Sequence, residues 1–187
     1  DPARAEELLA EAGAVKEGGR WMLDGAPIEI EILTYSSRAA LPPTAEITQA
    51  FLQQIGMTAT VKIGEYGASN DAMLAGDGDM FLQAWVMLPQ GDPASILGFL
   101  LASDGGSNAG RYANPAMDQL LIDGQTTFDQ TKREEIYDEV QQIIATDVPL
   151  LPVFHVSQAN VTKAGLTGYA VHPTETYWIT HETKLTE

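Results

Sequence analysis

Composition and charge restrict what this chain binds. Its 187 residues include 26 acidic and 10 basic side chains, and the resulting formal charge of -16 excludes the phosphate backbone of nucleic acids as a partner. The chain has no cysteine, which excludes disulfides, thiolate nucleophiles and thiolate metal sites. No run approaches the roughly 20 apolar residues that a transmembrane helix needs. The acidic excess with few lysines also predicts a halophilic source.

The N-terminal part is predicted to contain a helix and then a strand. Residues 3–12 place apolar side chains on one helical face, with Asp1 as the N-cap and Gly13 as the terminator. A chain that opens on a helix cap is expected to be part of a longer one. Residues 28–32 alternate apolar and acidic side chains, which is typical of a half-exposed strand, and a polar loop is predicted over residues 34–38.

A second helix and a second strand follow. The helix begins after Pro42-Pro43 and ends at Gly56. The side chains predicted to face the core from it are Ile47, Phe51 and Ile55. Residues 57–63 alternate again and predict a strand, and a short helix is predicted over residues 70–75.

Residues 79–87 are the most informative segment. Their apolar, uncharged interior does not alternate, which predicts a strand covered on both faces. Pro89 ends it, and Asp92 and Pro93 are a favourable N-cap and first residue for a helix over residues 94–101. The resulting β-α-β-α-β order implies right-handed crossovers and a largely parallel sheet. Ligands usually bind where such strands run into helices.

The second half is predicted to be more helical. Asn114-Pro115 and Asp129 each open a helix, and Pro149 ends the second one. The side chains predicted to face inward are Met117, Leu120, Leu121, Ile136, Val140, Ile143 and Ile144. Returning strands are predicted over residues 150–156 and 159–161.

Six motifs carry a resemblance to a known family. They are Asp1-Pro2 with Leu8-Leu9 and Ala12-Gly13, the segment Ala50 to Met57 followed by Glu65, the segment Asp79 to Trp85, Gly91-Asp92-Pro93, the segment Asn108 to Leu121, and the segment Asp147 to His155. In this order and at these spacings they resemble the C-terminal lobe of the family 5 solute-binding proteins of peptide and nickel ABC importers. The resemblance covers nearly the whole chain.

The resemblance implies an α/β, periplasmic-binding-protein-like lobe with a mixed, mostly parallel sheet flanked by helices. Residues 1–168 are expected to form this lobe, and residues 169–187 a tail that belongs with the neighbouring lobe. Such a receptor traps a solute in a cleft between two lobes and closes by a hinge motion. The implied partners are a peptide or other small solute, ABC permease subunits and an N-terminal lobe of the same longer chain, on the outer side of the cell membrane.

The residues predicted to bind the solute lie in three segments. They are Tyr35, Ser36 and Arg38 in the polar loop, Trp85 and Met87 on the apolar run, and Asn108, Arg111 and Tyr112 in and after the Gly-rich loop 105–110. Trp85 offers apolar area and an orientable N–H group, and its alternative role is core packing. For the loop over residues 35–38 the alternative is an ordinary solvated loop, and the residues of the Gly-rich segment are expected to act in the cleft or in the hinge. The Gly-rich loop lacks the Lys and Ser/Thr of a phosphate-binding loop, which argues against a nucleotide.

The chain departs from the peptide-binding members of the family at one point. In those members a carboxylate between the Trp strand and the Gly-Asp-Pro turn receives the ammonium group of the ligand. Residues 86–90 contain no carboxylate here, which favours a neutral, anionic or blocked solute, or a chelated metal. Arg38 is then expected to pair with an anionic group of the solute. Asp92 is interpreted as a helix cap rather than as an ammonium partner.

Catalysis is not expected. Ser36, Ser37 and Asp92 lack a Gly-x-Ser-x-Gly elbow, and no pattern identifies a base for them. The alternative function is therefore also a binding function, namely a peptide-capture or chaperone-like module that is not coupled to transport.

Neither a metal site nor a cofactor is expected. The histidines are His155, His172 and His181, and they lack the i, i+4 spacing of helical metal ligands. Asp77 and Asp79 flank a glycine but lack the further oxygen ligands of a calcium loop, so they are interpreted as turn residues.

Overall fold

The computed structural model describes most of the chain. The described residues are 1–85, 92–157, 161–169 and 179–186. The predictions made for Met87, Pro89 and His172 lie outside them.

In chain order the elements are α1 (Pro2–Glu11), β1 (Val15–Glu17), β2 (Arg20–Leu23), β3 (Ala26–Pro27), β4 (Glu29–Tyr35), α2 (Leu41–Gln54), β5 (Thr58–Gly64), α3 (Tyr66–Ala75), β6 (Met80–Phe81), α4 (Pro93–Leu101), α5 (Pro115–Thr126), α6 (Gln130–Asp147), β7 (Leu166–Thr167) and β8 (Lys184–Leu185).

The chain divides into two compact units. Unit 1 is Asp1–Trp85 and unit 2 is Val86–Glu187. The predicted parallel sheet is confirmed in unit 1, where β4 lies between β5 and β6 and pairs with both in parallel. Helix α2 packs on β4 and β5, and α3 packs chiefly on β4. Each apolar strand is thus joined to the next through a helix, as the β-α-β-α-β prediction requires.

A small antiparallel sheet in unit 1 was not predicted from the sequence. Strands β1, β2 and β3 form a meander, and the buried Trp21 on β2 anchors it to the turn after α2. The indole Nε1 of Trp21 donates to the carbonyl of Ile55 at 2.8 Å, and the Trp21 amide donates to the carbonyl of Gly56 at 3.1 Å. The three strands of the meander are too short to give an alternating pattern in the sequence.

Unit 2 is built around the three helices α4, α5 and α6. Its core contains Leu101, Met117, Leu121 and Val140. The predicted N-caps are confirmed, since the side chains of Asp92, Asn114 and Asp129 each accept a hydrogen bond from a backbone amide in the first turn. Strands β7 and β8 add a two-stranded antiparallel sheet.

Several local predictions are wrong for physical reasons. Ile47 and Phe51 are 54% and 64% exposed, because Gln49 and Gln53 turn the polar side of α2 toward the sheet and donate to the Ala59 carbonyl at 2.7 and 3.3 Å. The structure gives this helix a buried stripe that begins at Leu41 and Ala45.

Two predicted strands also differ from the structure. Of the predicted strand over residues 79–87, β6 includes only Met80 and Phe81, and residues 82–85 have left the sheet. No strand forms over residues 150–156, where Pro149 and Pro152 lack the N–H groups that a ladder needs.

Candidate functional site

In unit 1 the candidate site lies at one edge of the parallel sheet. Because β4, β5 and β6 run in the same direction, their carboxyl ends meet at this edge. Ser36 follows β4, Glu65 follows β5, and Trp85 lies four residues after β6. In open α/β sheets this is the edge beyond which ligands bind.

Tyr35 supports this edge from the end of β4. The sequence placed it in a polar loop, but it is the last residue of β4 and is only 3% exposed. Its hydroxyl accepts a hydrogen bond from the Ala84 amide at 3.1 Å, and its ring meets that of Tyr66 edge-on with 5.0 Å between centroids. Tyr35 therefore holds the segment that carries Trp85, and its own contact with a solute stays a prediction.

The segment before Trp85 is fixed at a second point. The Thr34 hydroxyl donates to the Leu82 carbonyl at 2.9 Å, and the Leu82 amide donates to the Leu33 carbonyl at 2.9 Å. Residues 82–84 are thus tied to β4 although they are no longer in the sheet. Trp85 is partly exposed at the end of this tied segment. Its indole Nε1 is buried, and the contact of Trp85 with a solute stays a prediction.

Ser36 and Arg38 lie in the loop between β4 and α2. Both are exposed, and the Ser36 amide donates to the Gly64 carbonyl at 3.1 Å, which fixes the start of the loop against the end of β5. The structure therefore brings Ser36 and Trp85 to one sheet edge, with Arg38 two residues further along the loop. Met87 lies outside the described residues.

In unit 2, Asn108 braces the loop that follows α4. Its Nδ2 donates to the carbonyls of Ala102 and Tyr112 at 3.0 and 2.7 Å, and its Oδ1 accepts from the Tyr112 amide at 3.0 Å. These bonds use both amide donors and the carbonyl oxygen. Arg111 is exposed and has φ of 52°, a left-handed conformation that is unusual for a long side chain. The role of Asn108 and Arg111 toward a solute stays a prediction.

Tyr112 joins this loop to the end of α6. Its hydroxyl donates to the Asp147 carboxylate at 2.6 Å, and Asn114 donates to the same oxygen at 3.0 Å. Burial, and then the bond to Asp147, raise the pKa of Tyr112. The same bond lowers the pKa of the Asp147 carboxyl. The hydroxyl of Tyr112 is thus engaged within unit 2.

Asp92 caps α4, as interpreted from the sequence, and it also has a cationic partner. Its Oδ1 accepts from the Ala94 amide at 2.9 Å, and Nη2 of Arg133 on α6 lies 2.8 and 2.9 Å from its two carboxylate oxygens. Nε of Arg133 donates to the Gly124 carbonyl at 2.7 Å. Arg133 therefore links α4, α5 and α6. Sequence reasoning missed it, because 41 positions separate the two partners.

The Asp92 carboxylate makes stability depend on pH. The Ala94 amide, and then Arg133, hold the pKa of the Asp92 carboxyl below its ordinary value. This stabilisation is therefore complete above the unfolded pKa of about 3.9 and is lost as the pH falls through the lower folded value. We expect Asp92→Asn to lower the melting temperature at pH 6 and to have progressively less effect as the pH falls through the lowered pKa of Asp92, measured by circular dichroism.

A double-mutant cycle separates the ion pair from the cap. Asn keeps the cap, so the coupling energy between Asp92→Asn and Arg133→Met reports the pair alone. A coupling that stayed constant between pH 6 and the acid end would contradict the assigned cause.

Among the residues that the structure describes, no group of three or more His, Cys, Asp or Glu side chains could hold a metal ion. The Asp79 carboxylate is engaged with β4 instead, since it accepts from the Glu31 amide at 2.8 Å.

A comparison with known protein families identifies the family of this chain. A family profile described as "Bacterial extracellular solute-binding proteins, family 5 Middle" matches residues 1–108. The chain belongs to this family. This family 5 chain is similar to a dipeptide-binding protein of Pseudomonas aeruginosa, with 32% identity over 175 residues that cover 92% of this chain and 32% of the relative. The chain thus spans about one third of the length of the curated relatives it matches.

Solved structures agree on the fold. The oligopeptide-binding protein AppA from Bacillus subtilis, in complex with a nonapeptide, aligns with a TM-score of 0.79 at 21% identity and covers 100% of this chain and 38% of that one. NikZ from Campylobacter jejuni, in complex with Ni(L-His), aligns with a TM-score of 0.71 at 25% identity over 80% of this chain and 31% of that one. The predicted periplasmic-binding-protein-like α/β class is confirmed.

The relatives also bear on the other predictions of function. They are named as binding proteins rather than as enzymes, and they do not favour the capture module that is uncoupled from transport. Homologues of this family 5 chain are extracellular or periplasmic. Within the described ranges, none of the helices has the length and apolar character needed to cross a bilayer.

Proposed function

We propose that this family 5 chain is part of the extracytoplasmic receptor of an ABC importer, which captures a peptide-like or other small solute and delivers it to the permease. The observation that carries the proposal is the edge of the parallel sheet, where Tyr35 and Thr34 hold the segment that presents Trp85. A site fixed before the solute arrives loses less entropy on binding. No bond is made or broken in this function.

The longer receptor supplies the rest of the site. Since the chain spans about one third of its relatives, an N-terminal lobe of the same protein is expected to complete the cleft. In unit 1, Trp85 provides apolar area, Ser36 a hydroxyl and Arg38 positive charge for an anionic group of the solute. In unit 2, Arg111 is proposed as a further cationic residue for the solute. Met87, Asn108 and Tyr112 complete the proposed set, with Asn108 acting by bracing the loop.

The class of solute is inferred from the segment that follows Trp85. Residues 86–90 contain no carboxylate to receive an ammonium group, and a buried cation without a partner is costly. We therefore expect a blocked or anionic peptide, or a metal chelate, to bind more tightly than a peptide with a free α-amino group. The relatives include proteins solved with a nonapeptide and with Ni(L-His), so both solute classes belong in the test.

Removing the indole of Trp85 tests the proposed site. In the full-length receptor we expect Trp85→Ala to weaken solute binding by about tenfold or more, because truncating an aromatic contact residue commonly has an effect of this size. Trp85→Phe keeps most of the apolar area and should retain most of the affinity. The measurement is isothermal titration calorimetry with acetyl-Ala-Ala, Ala-Ala and the nickel-histidine complex, after native mass spectrometry has identified any retained solute.

Two results would contradict the proposal. Equal affinity of Trp85→Ala and the unmodified receptor for every solute would remove Trp85 from the site. A retained peptide with a free amino group would show that the inference from residues 86–90 is wrong, while leaving the receptor function intact.

A further inference from the structure

A surface groove in unit 2 is not explained by solute capture. It has a volume of 540 Å³ and runs along one face of α6, next to the start of α4. The residues that line this α6 groove are Pro93, Phe128, Gln130, Arg133, Glu134, Tyr137, Asp138 and Gln141. Its walls combine two aromatic rings with two carboxylates.

Phe128 is the unusual apolar residue of the α6 groove. It lies in the loop between α5 and α6 and is 98% exposed, so the described residues leave almost all of its ring in water. A phenylalanine side chain gains free energy when it is removed from water. A ring this exposed is accessible to a partner surface and does not line an enclosed pocket for a small ligand.

The carboxylates of the α6 groove are held by neighbouring amides. Nε2 of Gln130 donates to Glu134 at 2.9 Å, and Nε2 of Gln141 lies 3.4 Å from the Asp138 carboxylate. The cation that lines the groove, Arg133, is paired with Asp92 at 2.8 Å, so its charge is balanced within unit 2. The groove therefore keeps two negative charges beside an exposed ring.

We propose that the α6 groove binds a basic segment of a partner protein, with a Lys or Arg stem packed on Phe128 and its charged end between Glu134 and Asp138. Long basic side chains have both the apolar stem and the charged end that this arrangement needs. A second copy of this chain is a poor occupant, because the sequence has only 10 basic residues against 26 acidic ones. The same excess of negative charge opposes an anionic membrane or a nucleic acid.

A short blocked peptide tests this groove. The probe is acetyl-Lys-Leu-Arg-Leu-Lys-amide with a terminal fluorophore, and the measurement is fluorescence anisotropy at about 0.15 M salt, where exposed charges are substantially screened. We expect the basic probe to bind and acetyl-Glu-Leu-Glu-Leu-Glu-amide not to bind. Phe128→Ser and the double variant Glu134→Gln/Asp138→Asn should each weaken binding by about tenfold.

Matched controls separate the groove from the overall charge. Glu135→Gln/Glu139→Gln removes the same charge from α6 outside the groove, and Phe51→Ala removes an exposed ring from α2, so both should change the affinity less than about twofold. The proposal is overturned if the control pair weakens binding as much as the groove pair, or if Phe128→Ser has no effect. It is also overturned if sedimentation velocity finds a dimer that Phe128→Ser dissociates, because the occupant is then a second copy.

Discussion

Replacing Gly56 by alanine should lower the free energy of unfolding by about 2–4 kcal/mol, among the largest effects of any single methyl group in the chain. Gly56 has φ of +96°, which L residues rarely adopt. An added Cβ would also overlap the carbonyl oxygen of Gly19, which is a backbone atom, and would lie 3.3 Å from Lys16 Cε. Backbone cannot rotate away as a side chain can, so the turn itself has to move.

The position of this turn explains why the effect should spread. The Gly56 carbonyl accepts from the Trp21 amide, and the Ile55 carbonyl accepts from the Trp21 indole. Moving the turn therefore strains both bonds that dock the meander of β1, β2 and β3. Thr58, where β5 starts, is only two residues away, so the parallel sheet is affected as well.

Gly13→Ala is the matched control. Gly13 has a similar φ of +90°, but nothing lies within 4 Å of an added Cβ, so it measures the backbone strain alone, about 1 kcal/mol. Urea denaturation followed by circular dichroism gives both values. If the two variants lose the same free energy, the close approach of Gly19 has no cost and the argument from the turn is wrong.

Local signals predicted the parts of the fold that depend on neighbouring residues. The helix starts at Asp92-Pro93, Asn114-Pro115 and Asp129 were predictable because a helix cap is a contact within one turn. The alternating patterns of β4 and β5 predicted a parallel sheet because a helix separates them in the chain. Contacts between distant residues were missed: nothing near Asp92 indicates Arg133, and nothing near Trp21 indicates Ile55.

The same difference between local signals and contacts of distant residues applies to the candidate site. The position of Trp85 near the end of an apolar run was readable from the sequence, whereas the support under it was not. Tyr35 looks like a loop residue because a polar segment follows it, yet its hydroxyl finds the Ala84 amide 49 positions away. Asn108 likewise looks like a ligand-binding amide, but its side-chain N–H groups and its side-chain oxygen form hydrogen bonds with backbone groups of its own loop. A sequence pattern identifies a polar group without revealing whether the protein already uses it.

Met117→Ala should lower the free energy of unfolding by about 2–5 kcal/mol, because it removes a buried side chain and leaves a cavity. Met117 is 0% exposed and lies in the core cluster with Leu101, Leu121 and Val140. These residues come from all three main helices of unit 2. A cavity among them cannot be closed by moving one helix without disturbing the other two, which favours the upper part of the range.

Two variants at the same helix test this cause. Ile122→Ala is the control for loss of a large apolar side chain, since Ile122 is 55% exposed on α5 and should lose less than about 1 kcal/mol. Met117→Leu nearly conserves the volume and should lose less than about 1.5 kcal/mol. Urea denaturation of all three variants measures the differences. If Met117→Leu lost as much as Met117→Ala, the cost would arise from the particular shape or flexibility of methionine rather than from the cavity, and the assigned cause would be wrong.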